Sequence, residues 1–146
     1  MIKSGTLLKI TAALAAIQGT AHAALLLTYR PSHGLAESVV VAAMRGRAFA
    51  FGGFAPHSYW EMYIGYGLFA AFNCAIEAVL FWQLAGWDEV ERARARPIIL
   101  LFLLANLGYA GLVARFFFLV PMVFDLLIAA LLAAALRRTQ LAAGRV

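Results

Sequence analysis

The stretch YWEMYIGYGLFAAFNCAIEAVLFWQL, residues 59–84, carries one acid at its edge, Glu61, and one deep inside, Glu77, in a largely apolar run. A helix needs about 20 mostly apolar residues to cross a bilayer, and this stretch is long enough. Three more resemble it: Thr6–Thr28, Pro97–Phe117 and Pro121–Leu136. The pattern predicts an all-α membrane protein. Its plan is an antiparallel four-helix transmembrane bundle, a single domain over 1–146, with a short interfacial helix in the first loop.

Composition agrees. Hydrophobic residues form 64% of the 146 positions and charged residues 13%, against about 25% charged in soluble domains. A soluble chain of this size has no way to hide so much apolar surface, so the bilayer itself must serve as solvent. The net charge of +5 reads as a topology signal, not as a nucleic-acid footprint, because no basic run interleaved with aromatics lies outside the spans. The lone Cys74 sits mid-span, which excludes an internal disulfide and a thiolate cluster. Nothing asks for a cofactor or a metal.

The Lys and Arg count assigns sides. Lys3, Lys9, Arg92, Arg94, Arg96, Arg137, Arg138 and Arg145 fall on one side, eight in all; Arg30, Arg45, Arg47 and Arg115 make four on the other. Cytoplasmic flanks collect such residues, so both termini are expected in the cytoplasm. The first stretch, with its Ala21-His22-Ala23, imitates a signal peptide. The apolar run continues through Leu27, which favours an uncleaved first span.

The longest connection lies between Tyr29 and Ser58. Leu35–Arg47 has helical apolar spacing and basic residues at its end, as an interfacial helix does. Gly52-Gly53 breaks the chain, and Ser58 with Glu61 matches a capping box. Trp87–Arg96 reads as a short charged loop, and Pro97 suits the first turn of the third span. A tight turn, Phe116–Val120, joins the last two spans. Small residues recur where helices are expected to touch, and spacings of four let backbones approach closely: Ala15, Gly19 and Ala23; Gly67, Ala71 and Ala75; Gly108 and Gly111 stand three apart on the third span.

Polar residues form stripes. Thr11, Gln18, His22 and Tyr29 share one face of the first span, and Tyr59, Tyr66, Asn73 and Glu77 share one face of the second. Asn106, Tyr109 and Asp125 add to these from the last two spans. Polar stripes avoid acyl chains and turn toward one another. They outline a polar cleft opening outward, with His22, Tyr66, Tyr109 and Asp125 in its outer half and Gln18, Asn73, Asn106 and Glu77 deeper. His22 and Glu77 are the candidate acid–base pair. Gln18, Tyr66, Asn73, Asn106, Tyr109, Asp125 and Arg115 are the candidate ligand contacts. Arg115 and Asp125 are also expected to pair across the tight turn. Aromatics crowd the outer mouth, among them Phe49, Phe51, Phe54, Trp60 and Tyr63, as an interfacial belt or as a lid over a lipid-like molecule. His57 and Glu61, with His33 nearby, have metal-ligand spacing but lack the histidines and cysteines of an established metal motif.

The segment His57-Ser58-Tyr59-Trp60-Glu61-Met62-Tyr63-Ile64-Gly65-Tyr66-Gly67, entering a span after a long loop, resembles small four-span bacterial inner-membrane proteins. In layout alone the chain also resembles DoxX-like and sterol-isomerase-like bundles, whose signature residues are not matched here. A likeness of layout does not carry activity.

The expected function is binding of a hydrophobic or lipid-like small molecule in the outward cleft, with His22, Asn73 and Glu77 orienting its polar head. The alternatives are a membrane enzyme of the acid–base isomerase type using His22 and Glu77, a proton-coupled transporter with Glu77 as carrier, and an accessory subunit of a larger membrane complex. The expected partners are the lipid bilayer, a hydrophobic small molecule or lipid, and a second copy or larger complex, with no nucleic acid.

Overall fold

The computed structural model describes residues 2–50, 52–53 and 55–143; Phe51 and Phe54 of the aromatic mouth and Arg145 of the basic count lie outside them. The described residues are 82% helical and form six helices. In order they are α1 (Ser4–Leu27), α2 (Leu35–Gly46), α3 (Tyr59–Gly86), α4 (Glu89–Arg94), α5 (Arg96–Phe116) and α6 (Leu119–Ala143). Four of them, α1, α3, α5 and the 119–139 part of α6, are long and apolar enough to cross a membrane. The expected spans are therefore present as helices, each displaced by a few residues at its ends.

Two local features depart from the sequence reading. A short antiparallel pairing of β1 (Ala48–Phe49) with β2 (His57–Ser58) closes the long connection. Gly52 and Gly53 turn it with φ of 62° and 81°, values open to glycine at little cost. The charged segment before α5, expected as loop, winds into α4. Asp88 accepts from the Glu91 N–H at 2.9 Å while the Glu91 carboxyl takes the Asp88 N–H at 3.2 Å, a capping box. The box expected at α3 is present too: Ser58 Oγ accepts from the Glu61 N–H at 3.2 Å and the Glu61 carboxyl accepts from the Ser58 N–H at 2.6 Å. Pro97 stands in the first turn of α5, where its missing N–H breaks no helical bond. The joint between α5 and α6 shrinks to Phe117-Phe118.

The chain forms two compact units, one of residues 1–18 with 74–146 and one of residues 19–73; the division falls inside α1 and α3. The first unit holds the hydrophobic core. Leu8 and Ala15 of α1, Phe81 and Leu84 of α3, Ile99 of α5, and Ile128 and Leu132 of α6 are almost wholly buried against one another. Phe81 and Phe102 meet edge to face at 5.5 Å, a favoured aromatic geometry. In the second unit Leu26 of α1 packs on Gly67 of α3: a Cβ at Gly67 would stand 2.1 Å from Leu26 Cδ1. Gly67 thus serves the close approach expected of it. Gly108 and Gly111 do not; among the described residues a Cβ at either meets nothing within 4 Å.

Candidate functional site

The polar groups of the first unit form two pairs. Asn106 of α5 donates to the Glu77 carboxyl of α3 at 3.2 Å and to its own helix at the Phe102 carbonyl at 2.9 Å. Gln18 of α1 donates to the Asp125 carboxyl of α6 at 2.9 Å. Glu77, Asn106 and Asp125 are all buried, at 7%, 1% and 5% exposure. Each buried acid thereby meets an amide donor, which offsets part of the cost of leaving water. The expected Arg115–Asp125 ion pair is not formed. Asp125 is turned to Gln18, and Arg115, exposed at the end of α5, lies over the Phe116 ring at 5.2 Å.

Arg92 of α4 is a third buried polar centre, at 7% exposure. Its guanidinium donates to Ser4 Oγ at 2.7 Å, to the Leu84 carbonyl at 3.2 Å and to the Trp87 carbonyl. One planar fork thus ties the start of α1 to the end of α3, satisfying carbonyls that the helix end leaves free. Gly5 permits the fit: a Cβ there would meet the Ala85 carbonyl oxygen at 3.0 Å and the Arg92 guanidinium at 3.4 Å. Sequence reasoning counted Arg92 only as a cytoplasmic charge. The signal that could have singled it out is the Asp88–Glu91 box, which winds Arg92 into a helix.

The second unit contains a different kind of site. Tyr29, just after α1, α2, and the first turns of α3 border an open pocket of about 370 Å³ lined by Tyr29, Ala36, Glu37, Val40, Val41, Met44, Trp60 and Tyr63. Trp60 is the hub of its aromatic wall, 5.3 Å from the Tyr29 ring and 5.5 Å from the Tyr63 ring, with the Arg45 guanidinium over it at 4.6 Å. Glu37 is the one acid in the lining. Its carboxyl accepts from the Tyr29 hydroxyl, from the Ser32 N–H at 2.6 Å and from the His33 N–H at 2.7 Å, and His33 Nδ1 stands 3.2 Å away. These donors, the Tyr29 hydroxyl first, hold the carboxyl down at about 2. The same bond pushes the Tyr29 hydroxyl above its usual range. Glu37 therefore works as a clasp that folds residues 29–33 onto α2, and its lone pairs are taken up by the protein.

The remaining candidates scatter. His22 and Asn73 are half-buried in the second unit, outside both amide–acid pairs, and His22 and Glu77 fall in different units. Tyr66 and Tyr109 are exposed, at 72% and 43%. His57 stands 3.7 Å from Glu61 and His33 beside Glu37; among the described residues no three His, Cys, Asp or Glu side chains gather as metal ligands do. The pocket-forming Glu37, Val41 and Met44 went unnoticed in sequence because α2 looks like any amphipathic helix until Tyr29 and Trp60 are folded against it. No known protein family, curated protein or solved structure matches the chain.

Proposed function

We propose that this chain is a multi-pass protein of a bacterial inner membrane, with α1, α3, α5 and α6 crossing as an antiparallel bundle and both termini in the cytoplasm. It binds a hydrophobic or lipid-like small molecule in the pocket between α2 and the start of α3, on the outer side. The span lengths, the mean hydropathy of 0.85 and the bias of Lys and Arg support the membrane placement.

The observation that carries the binding reading is the cavity walled by Tyr29, Val41, Met44, Trp60 and Tyr63. Its volume falls in the range of small-molecule sites, about 300–1,000 Å³. Its one acid is engaged by protein donors, so the space left to a guest is aliphatic and aromatic. Gln18, Asn106, Glu77 and Asp125 enter this reading as packing groups, since buried amide–acid pairs hold helices together in lipid.

The test is extraction of the purified protein and mass spectrometry of the organic phase. A hydrophobic molecule in near-stoichiometric amount should accompany the native chain and be lost from Val41→Trp, which fills the cavity. Equal recovery from both proteins would place the molecule elsewhere. A second reading, an accessory subunit of a larger membrane complex, is favoured by the mutual pairing of the polar groups in the first unit; it expects a stable partner and no copurifying small molecule.

A further inference from the structure

The first unit carries a second groove, distinct from the aromatic pocket. Ala12, Ala13 and Ala16 of α1 face Ala78, Val79, Trp82 and Gln83 of α3 across about 430 Å³ of open space. Four alanines and a valine make its walls smooth and apolar, with room for a slender chain. Val79 and Trp82 are 59% and 61% exposed. The groove is therefore open along its length and not sealed into the core.

A cation marks one end. Lys9 precedes Ala12 and Ala13 by about one helical turn, and its ammonium lies over the Trp82 ring at 5.7 Å. Among the described residues no acid pairs with it. A Lys held inside a span reaches for the interface, and over an indole it keeps most of its charge free for an anion. The Gln83 amide, on the same groove, adds a neutral donor and acceptor. Apolar walls ending at an unpaired cation and an indole have the polarity of a lipid: acyl chain along the helices, acidic headgroup at the surface.

We propose that this α1–α3 groove binds one anionic glycerophospholipid of the cytoplasmic leaflet, an acyl chain lying along Ala12, Ala16 and Val79 and the phosphate at Lys9. A second copy of the chain fits the groove poorly. Copies inserted the same way up are related by an axis along the membrane normal, so both Lys9 side chains would meet at one depth, and an isologous contact would set like charges together.

The experiment titrates the full chain, purified in detergent, with dioleoyl-phosphatidylglycerol and separately with dioleoyl-phosphatidylcholine, and counts bound lipid by native mass spectrometry. The native protein should prefer phosphatidylglycerol. Lys9→Gln should weaken that lipid about fivefold and leave phosphatidylcholine unchanged, because one Lys near an anionic surface is worth about 1 kcal/mol. Ala13→Phe and Val79→Trp, at exposed positions on opposite walls, should weaken both lipids. Lys3→Gln removes the same charge outside the groove and should change neither. Equal loss with Lys3→Gln and Lys9→Gln would replace the site by diffuse attraction. Loss of a dimer in Ala13→Phe with lipid binding intact would assign the groove to a second copy. Either result overturns the proposal.

Discussion

The Asn106 amide reaches the Glu77 carboxyl at 3.2 Å across the contact between α5 and α3, with both side chains more than nine-tenths buried. In lipid such a bond contributes about 0.6 kcal/mol on average and at most about 1.7. Asn106→Leu strips the acid of its donor and should cost about 1–2 kcal/mol, the penalty for an unmatched buried polar group. Glu77→Gln keeps an acceptor in place and should cost less than half of that. Thermal unfolding in one fixed detergent checks both. As a packing group, Glu77 should also be dispensable for ligand recovery; loss of the copurifying molecule in Glu77→Gln would return the site to the polar cleft.

Arg92 should matter more than any other charged residue. Arg92→Ala removes three charge-assisted bonds and leaves the Leu84 and Trp87 carbonyls without their donor, a loss on the order of 3 kcal/mol. Arg92→Lys, which lacks the planar fork, should recover less than half of it. Arg94, exposed on the same helix, supplies the control, and Arg94→Ala should stay within about 0.5 kcal/mol. Equal unfolding temperatures for the three variants would refute the tie between α1 and α3.

The clasp at Glu37 has a pH signature. Its carboxyl sits at about 2 in the fold against an ordinary 4.5, so the charged form is the one the folded loop prefers. The clasp is fully made above pH 4.5 and is lost as pH falls toward 2. Protection of the Ser32 and His33 amides, measured as exchange relative to the intrinsic rate at each pH, should therefore fall across that acid window and hold steady from there to neutrality. In Glu37→Gln that protection should be low already at neutral pH and unchanged on acidification. Identical profiles for the two proteins would remove the clasp.

Gly67 and Leu26 form a size-matched contact. Gly67→Ala forces the Leu26 side chain out of its position and should destabilise by about 1–3 kcal/mol, the usual cost of overpacking. Leu26→Ala in the same chain removes the obstructing methyls, so the double variant should fall short of the summed single losses by at least about 0.5 kcal/mol. Strict additivity would show that the two residues do not touch.

The long elements were readable because their signals are long. Twenty-odd apolar residues outweigh any local ambiguity, and Ser58 with Glu61 carries its own cap. The partners of single polar groups were harder. Arg115 and Asp125 are near in sequence, yet Asp125 bonds Gln18, more than a hundred residues away, since only the packed fold decides which donor comes within reach. Gly108 and Gly111 are small enough for a contact face, but among the described residues nothing comes within 4 Å of a Cβ at either. Arg92 and Glu37 look like ordinary surface charges; each gains its role from a hydroxyl and from backbone groups brought together by folding, and backbone groups leave no mark in a residue pattern.

The proposed aromatic pocket and the proposed lipid groove each depend on a chain that crosses the bilayer four times. In a Cys74→Ser background, a single cysteine at Ser32 and, separately, one at Arg94 can be challenged with a membrane-impermeant maleimide on intact cells and on inverted vesicles. Four crossings with cytoplasmic termini predict that Ser32→Cys reacts only on intact cells and Arg94→Cys only on inverted vesicles. Reaction of both from the same side would contradict the account.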